Sequence, residues 1–343
     1  KILFSITFYK ELIYLIATYG FSKKAWRSFI ITSYARIKYA EKVFRILKKR
    51  YLIKASNIII YSYWFSHYAN VACVIKDKIT SLNTGKVHAV ARAHGSYDLF
   101  LTKETIGYRP YQKELNKKLN AIFSISEMGA NYLVRNGIIA SKIHVSRLGV
   151  SNACGLVKYV KDRPVIISCS RLIPLKRIEL LILALERTSI PKLCWMHIGD
   201  GPLFTEIKKL AEEKLKGKVD FQFLGALKND DIIPLYLRNS PIAFINLSLI
   251  EGIPVSIMEA CSCGIPIIAT DVGGTNEIVQ NGLNGVLLTP NVSADEIAKV
   301  IHEIYYKDMK DWLNLSNNSY EVYLQKYNSV VNYGAFSNEL LLL

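Results

Sequence analysis

Acidic residues are scarce at the start of this chain. Residues 1–150 hold 7 Asp+Glu against 25 Lys+Arg, while residues 151–343 hold 21 against 19, so a net +16 divides into +18 and −2. A surplus of that size argues against a cationic partner for the first part. It suits an anionic one: a membrane surface, a phosphate-bearing molecule or nucleic acid. No nucleic-acid reading motif accompanies it, so no nucleic-acid partner is expected. Cysteine is sparse too. Cys73, Cys154, Cys169, Cys194, Cys261 and Cys263 sit mostly in apolar runs without metal-ligand spacing, and only Cys261 and Cys263 are close neighbours. That pattern speaks against a disulfide framework and a structural metal, and for reduced thiols in a cytoplasmic protein. No apolar run is long enough to span a bilayer. No signal-peptide pattern is present, and the chain opens on Lys1 instead of methionine, which reads as a shortened N-terminus.

What is present suits two α/β domains. Half of the 343 residues are apolar, enough for two sizeable cores. Ser22 to Tyr51 reads as a helix. Its Trp26, Ile30, Tyr34, Ile37, Phe44 and Leu47 form a stripe expected to face a sheet, among ten basic residues and one acid, Glu41. The basic face suits anionic lipid. Strands follow at Asn57–Trp64, Val87–Ala93, Ala121–Ser126 and Lys142–Leu148, with a helix from Glu127. Ser151 to Arg163 is polar and reads as a linker. A second series then alternates: strands at Pro164–Ser170, Leu193–Ile198 and Val219–Leu224, and helices at Ile178–Arg187 and Leu203–Leu215. Tyr320 to Leu343 has a helical pattern broken near Asn332-Tyr333-Gly334. This order predicts two doubly wound parallel-sheet domains, residues 1–150 and 151–320, with a ligand cleft between them and C-terminal helices over 321–343 crossing back to the first.

The most informative segment runs from Pro241 to Gly274, PIAFINLSLIEGIPVSIMEACSCGIPIIATDVGG. Ile242–Leu249 reads as a buried strand. The turn Glu251-Gly252-Ile253-Pro254 leads into a helix over Val255–Cys263 with Pro254 at its first position, and Ile265–Thr270 is another buried strand. A strand entering a helix through a tight turn presents free backbone N–H groups, an anion site at the carboxyl end of a parallel sheet. Acids have no electrostatic use there. Glu251 and Glu259, eight positions apart, are better read as acceptors for a ligand's hydroxyl groups. Arg171 and Lys176, at the end of the Pro164–Ser170 strand and the start of the next helix, are cations suited to a diphosphate. The alternative for both acids is an ordinary solvated surface position. Gly273-Gly274 suits either function or loop shaping, and Asp98 and Glu127 suit either acceptor contact or plain surface.

Five segments occur here in the order of one family: SRLIPLKRIELLILAL, HIGDGPLFTEI, FLGAL, EGIPVSIMEACSCGIPIIATDVGGTNEIV and NGLNGVLL. With RAHGSYD around His94, Ser124–Glu127 and Leu148–Val150, the chain resembles the retaining GT-B glycosyltransferases of the E-x7-E type, family four. The resemblance implies a nucleotide-sugar donor, UDP- or GDP-linked, with no cofactor and no metal. Arg171 and Lys176 would hold its diphosphate, Glu259 its ribose hydroxyls and Glu251 the transferred sugar. Backbone N–H groups of Gly252, Ile253 and Val255 would bind sugar and phosphate, the turn from Gly225 to Leu227 would receive the base, and His94 would approach the sugar. The implied acceptor is a glycan or polyprenyl-linked glycan in cell-surface polysaccharide synthesis, at the inner face of the membrane. The family's Gly-rich turn after its first strand has no counterpart before Asn57, where Gly20 is the only glycine. A shortened first domain follows, and so does a rival reading as a catalytically silent partner subunit.

Overall fold

The computed structural model describes residues 5–50, 57–82, 85–95, 98, 108–151 and 155–343. Tyr51 of the basic helix, Ser96 and Tyr97 of the His94 loop, and Cys154 within the expected linker lie outside the described residues. Two compact units are present, Lys1–Ser146 with Phe336–Leu343, and Arg147–Ala335.

In the first unit, α1 (Ile6–Tyr19) and α2 (Lys23–Tyr34) precede a π turn (Ala35–Tyr39) that runs on into α3 (Ala40–Arg50). There follow β1 (Asn57–Ser62), α4 (His67–Thr80), β2 (Lys86–Ala93), α5 (Gln112–Lys118), β3 (Ala121–Ser124), α6 (Glu127–Arg135) and β4 (Ile143–Val145). The strands pair in parallel in the order β1-β2-β3-β4. α4 supplies the main apolar surface: Ala69, Ala72 and Cys73 join Ala89, Ala91, Leu115 and Leu133 in one core.

The basic helix departs from expectation. Ile30 and Tyr34 are exposed, and Ala25, Phe29, Thr32, Ser33 and Arg36 are buried instead. The π turn holds one extra residue per turn, so the stripe at Trp26, Ile30, Tyr34 and Ile37 is out of phase with Phe44 and Leu47, which do pack. The buried face lies mainly against α4 and α1. Arg36 is buried there, donating to Asn70 Oδ1 at 2.9 Å, paired with Glu114 and standing 4.2 Å over the Tyr111 ring.

In the second unit, β5 (Val165–Cys169), α7 (Ile178–Glu186), β6 (Cys194–Ile198), α8 (Phe204–Leu215), β7 (Asp220–Phe223), α9 (Asn229–Asn239), β8 (Ala243–Asn246), α10 (Val255–Ser262), β9 (Ile267–Thr270) and β10 (Gly285–Leu288) lead to α11 (Ala294–Tyr306), α12 (Met309–Val322) and α13 (Ser329–Leu341), whose residues from Phe336 onward belong to the first unit. All six strands are parallel, in the order β10-β9-β8-β5-β6-β7. The chain winds outward from β5 in one direction to β7, then returns to β8 on the other side of β5. That reversal is the switch point of a doubly wound sheet, the edge at which such sheets take ligands. The C-terminal break also differs from expectation. It falls at Asn328, not at 332–334, and α13 runs through Gly334. Asn328 is extended, bridges Val150 and accepts the N–H of Val330 on its side chain, so it caps the next helix. No helix among the described residues is long and apolar enough to cross a membrane.

Candidate functional site

The site is built at the β5/β8 switch point of the second unit. Arg171 stands two residues beyond β5, and its backbone neighbours are held tightly. Ser170 N–H donates to Ile198 O at 2.9 Å and Leu172 N–H to Asp200 O at 3.1 Å. Two glycines permit this approach: a Cβ on Gly199 would stand 1.9 Å from Ser170 O, and one on Gly201 2.4 Å from Leu172 O. Gly199 N–H in turn donates to Gly225 O at 2.8 Å. Gly225 has φ +68°, and half-buried Leu227 lies just beyond it. The peptide carrying Arg171 is therefore fixed, while its guanidinium is exposed and has no ion-pair partner among the described residues.

Lys176 ends a short 3-10 turn (Pro174–Lys176). The next residue, Arg177, adopts φ +48° and donates to Leu247 O at 2.6 Å and Pro290 O at 2.7 Å. Leu249 N–H donates to Leu175 O at 2.9 Å. These bonds join the β5 loop to the β8 loop. In consequence Lys176 Nζ lies 2.5 Å from Glu251 Oε1. The same oxygen accepts from Asn246 Nδ2 at 3.3 Å, and Asn246 Oδ1 accepts the Ser248 N–H at 3.0 Å. Arg177 and Asn246 were not singled out from sequence. The only signals were a second cation beside Lys176 and an amide closing an apolar strand.

The turn carrying Glu251, Gly252 and Ile253 is held by Gly273-Gly274. A Cβ on Gly273 would stand 1.9 Å from Glu251 O, and one on Gly274 2.5 Å from Ile253 Cδ1. Gly274 N–H donates to Gly252 O at 2.7 Å. Of the two readings left open for this pair, these contacts account for loop shaping. α10 begins at Val255, with Pro254 as the residue before its first turn instead of within it, and no side chain caps that end. Its first amides are thus presented beside Glu251, in the manner of an anion site.

The carboxylate of Glu259, one turn into α10, makes no hydrogen bond or ion pair among the described residues, while its backbone carbonyl accepts from Ser262 Oγ at 2.7 Å. Burial alone pushes its carboxyl up to about 7. The Cys169 thiol, at the end of β5, feels both the Glu259 and the Lys176 charges, and burial pushes it up to about 12. Glu259 and Lys176 therefore address the same strand end. Cys261 and Cys263 are fully buried packing residues. No group of three or more His, Cys, Asp or Glu side chains among the described residues is placed to hold a metal ion.

His94 belongs to the first unit, one residue beyond β2. Its Nε2 is 2.9 Å from Tyr63 O, and its ring lies 4.4 Å from the Tyr63 ring and 4.6 Å from the Trp64 ring. Burial, and next the Arg92 charge, push its pKa down to about 4, so the imidazole is neutral at neutral pH. Its backbone N–H donates to Asp98 Oδ2 at 3.0 Å, and burial pushes that carboxyl up to about 6. Asp98 is thus a loop anchor, not an exposed acid. Glu127 is exposed in the first turn of α6.

Comparisons with known proteins agree with this architecture. Residues 157–322 match the family described as glycosyl transferases group 1. The chain is 28% identical over 182 residues to the phosphatidylinositol N-acetylglucosaminyltransferase gpi3 subunit of Schizosaccharomyces pombe, covering 48% of this chain and 39% of that one. It is 24% identical over 312 residues to an uncharacterized glycosyltransferase of Methanocaldococcus jannaschii, covering 89% of this chain and 83% of that one. The crystal structure of Anabaena HepE in complex with UDP superposes with a TM-score of 0.70 at 19% identity, covering 89% of this chain and 82% of that one. Both sheets therefore have the GT-B fold. The chain spans about two fifths of the length of the first curated relatives it matches.

Proposed function

We propose that this chain, whose residues 157–322 match the family described as glycosyl transferases group 1, moves a sugar from a nucleotide diphosphate to a glycan or polyprenyl-linked acceptor, retaining configuration at the anomeric carbon. The observation that carries the reading is the meeting of exposed Arg171, the Lys176–Glu251 pair and the uncapped start of α10 at one switch point. Breaking the sugar–phosphate bond leaves positive charge on the anomeric carbon and negative charge on the departing diphosphate. Arg171, Lys176 and the α10 amides stabilise the latter, which is the task a divalent metal performs in other sites. The acceptor oxygen attacks on the face the phosphate leaves, and the departing phosphate oxygen takes the acceptor's proton.

Without donor, Lys176 is engaged by Glu251. An arriving diphosphate offers Lys176 a stronger anion and frees Glu251 to accept hydrogen bonds from the sugar hydroxyls. Glu259, ionised by the ribose hydroxyls that donate to it, holds the nucleoside, and the base lies against Gly225 to Leu227. Calorimetric titration with UDP- and GDP-sugars, followed by NMR of the product anomer with and without EDTA, tests the whole. Binding of neither nucleotide, an inverted anomer, or a rate abolished by EDTA each removes a part of it. A silent partner subunit is the second reading, favoured by the closed Lys176–Glu251 pair. Donor binding without donor hydrolysis at any acceptor concentration would select it.

The basic first unit is proposed to rest on an anionic membrane surface, consistent with peripheral residence at its inner face. Ile6, Ile13, Phe21 and Ile30 are exposed beside exposed Lys10, Lys23, Lys24 and Arg27 on α1 and α2. That combination of apolar and cationic side chains suits a headgroup boundary.

A further inference from the structure

The first unit carries an aromatic surface that the donor chemistry leaves unused. It lies at the carboxyl ends of β1 and β2, the edge where open parallel sheets take ligands. Tyr63 is 51% exposed and Trp64 47% exposed, side chains that ordinarily find cover. Their rings meet edge to face, with centroids 5.5 Å apart at 89°, and Tyr61 continues the series 6.2 Å from Tyr63. The arrangement is fixed from beneath. Ser62 Oγ donates to Trp64 O at 2.7 Å, and the Tyr63 carbonyl is bonded to His94 Nε2. That bond places the imidazole proton on Nε2 and leaves Nδ1 as a hydrogen-bond acceptor between the two rings.

The chemistry of the seat selects its occupant. It holds no charge. The nearby Arg92 guanidinium is buried, stacked 4.2 Å over Phe336 and donating to Ser146 Oγ at 2.6 Å, so it is unavailable to an anion. Phosphate therefore has no counter-ion here. Rings at right angles, interleaved with carbonyls and an imidazole nitrogen, do not make the continuous aliphatic surface a lipid tail prefers. A pyranose fits both features: its C–H face lies on an electron-rich ring and its equatorial hydroxyls meet acceptors at the rim.

We infer that Tyr63 and Trp64, with His94 between them, seat an uncharged pyranose ring of the glycosyl acceptor, so that the acceptor is recognised through its glycan and not through a phosphate or lipid. The inference rests on the transferase reading for the word acceptor, while sugar binding itself is measured independently. Trp195 and Trp312 are fully buried and Trp26 is half-buried on α2, so the part of the emission change that is lost in Trp64→Phe reports a ligand at this surface. The test titrates the full chain with maltotetraose and cellotetraose to millimolar concentration, following tryptophan emission and heat. A saturable emission shift is expected with at least one tetraose, lost in Trp64→Phe. Affinity is expected to fall about tenfold or more in Trp64→Ala and Tyr63→Ala, and to persist in Tyr63→Phe. No saturable response to either sugar, or undiminished affinity in Trp64→Ala, overturns the inference. So does a larger Trp64 response to UDP or to phosphatidylglycerol vesicles than to the sugars. UDP binding of the parent chain against Arg171→Ala reports on the transferase reading separately, so nucleotide binding without tetraose binding sinks the platform alone.

Discussion

The carboxyl ends of the two sheets are built from different materials. In the second unit the loops are pressed backbone to backbone, with Gly199 on Ser170, Gly201 on Leu172 and Gly273 on Glu251, and the side chains left over are charged. In the first unit the corresponding edge has no such clasp. Among the described residues, rings cover the ends of β1 and β2, and His94 beside them is held neutral. Glycine contacts fix where peptide dipoles and short charged arms stand, which suits a diphosphate whose charge must be met without reorganisation. Aromatic cover suits a ligand without charge. The two carboxylates of α10 and its turn repeat the contrast at closer range: Glu251 is paired with Lys176, whereas half-buried Glu259 has no counter-ion among the described residues.

Breaking the charged edge should have the largest effect. Arg171→Ala combined with Lys176→Ala is expected to lower turnover by about 10²–10³ for each lost donor, judged from removal of single oxyanion donors. Turnover near the parent value in steady-state assays would remove both residues from the diphosphate site. The clasp comes next. Gly273→Ala adds a left-handed penalty of about 1–2 kcal/mol to a direct backbone overlap. Gly20→Ala in the first unit, at φ +53° with no atom within 4 Å of the added carbon, carries a backbone penalty but no such overlap. Urea melts should therefore rank Gly273→Ala well below Gly20→Ala, and equal midpoints would show that the β8–α10 turn is not held by that contact.

A smaller effect concerns protons. Ribose hydroxyls donate to ionised Glu259, so nucleotide affinity should rise with pH up to about 7 and then level, by at most about tenfold per unit below it. Glu259→Gln should abolish the slope. The sign for stability is opposite. With a folded pKa above the unfolded value, the native chain binds more protons between about 4.5 and 7, so without ligand this group lowers stability as pH rises through that window. Relative to the parent, Glu259→Gln should therefore gain stability from pH 5 to pH 8, and a constant difference in melting temperature would contradict the burial. The smallest effect concerns the basic helices. Retention on phosphatidylglycerol vesicles should weaken as the screening length shortens from about 10 Å at 0.1 M salt to about 3 Å at 1 M, leaving the contribution of Ile6, Ile13, Phe21 and Ile30. Retention unchanged by salt would leave the lysines without a role.

Much of the second unit was legible because its signals are local. Strand, turn and helix around Pro241–Gly274 follow from apolar runs punctuated by Gly and Pro, and the structure departs from those boundaries by only a few residues. The basic helix was legible as a helix but not in its facing. A π turn leaves no mark on hydrophobic periodicity beyond a slipped phase, and Trp26-Ile30-Tyr34-Ile37 looked self-consistent on its own side of the slip. Asn328 was passed over as a break because Asn-Tyr-Gly at 332–334 is the stronger turn signal by composition. The bridge to Val150, distant in sequence, decides the matter.

The sequence alone determined the period of each element, the places where glycine and proline interrupt it, and which cations and acids stand near strand ends. These depend on residues within a few positions of one another. Tertiary structure alone decided that β5 lies beside β8, that Lys176 meets a carboxylate 75 residues away, that Glu259 has no counter-ion among the described residues, and that His94 is neutral beside two rings. Each of these depends on burial and on sheet order. Both are set by the packing of the whole chain, which no local pattern contains.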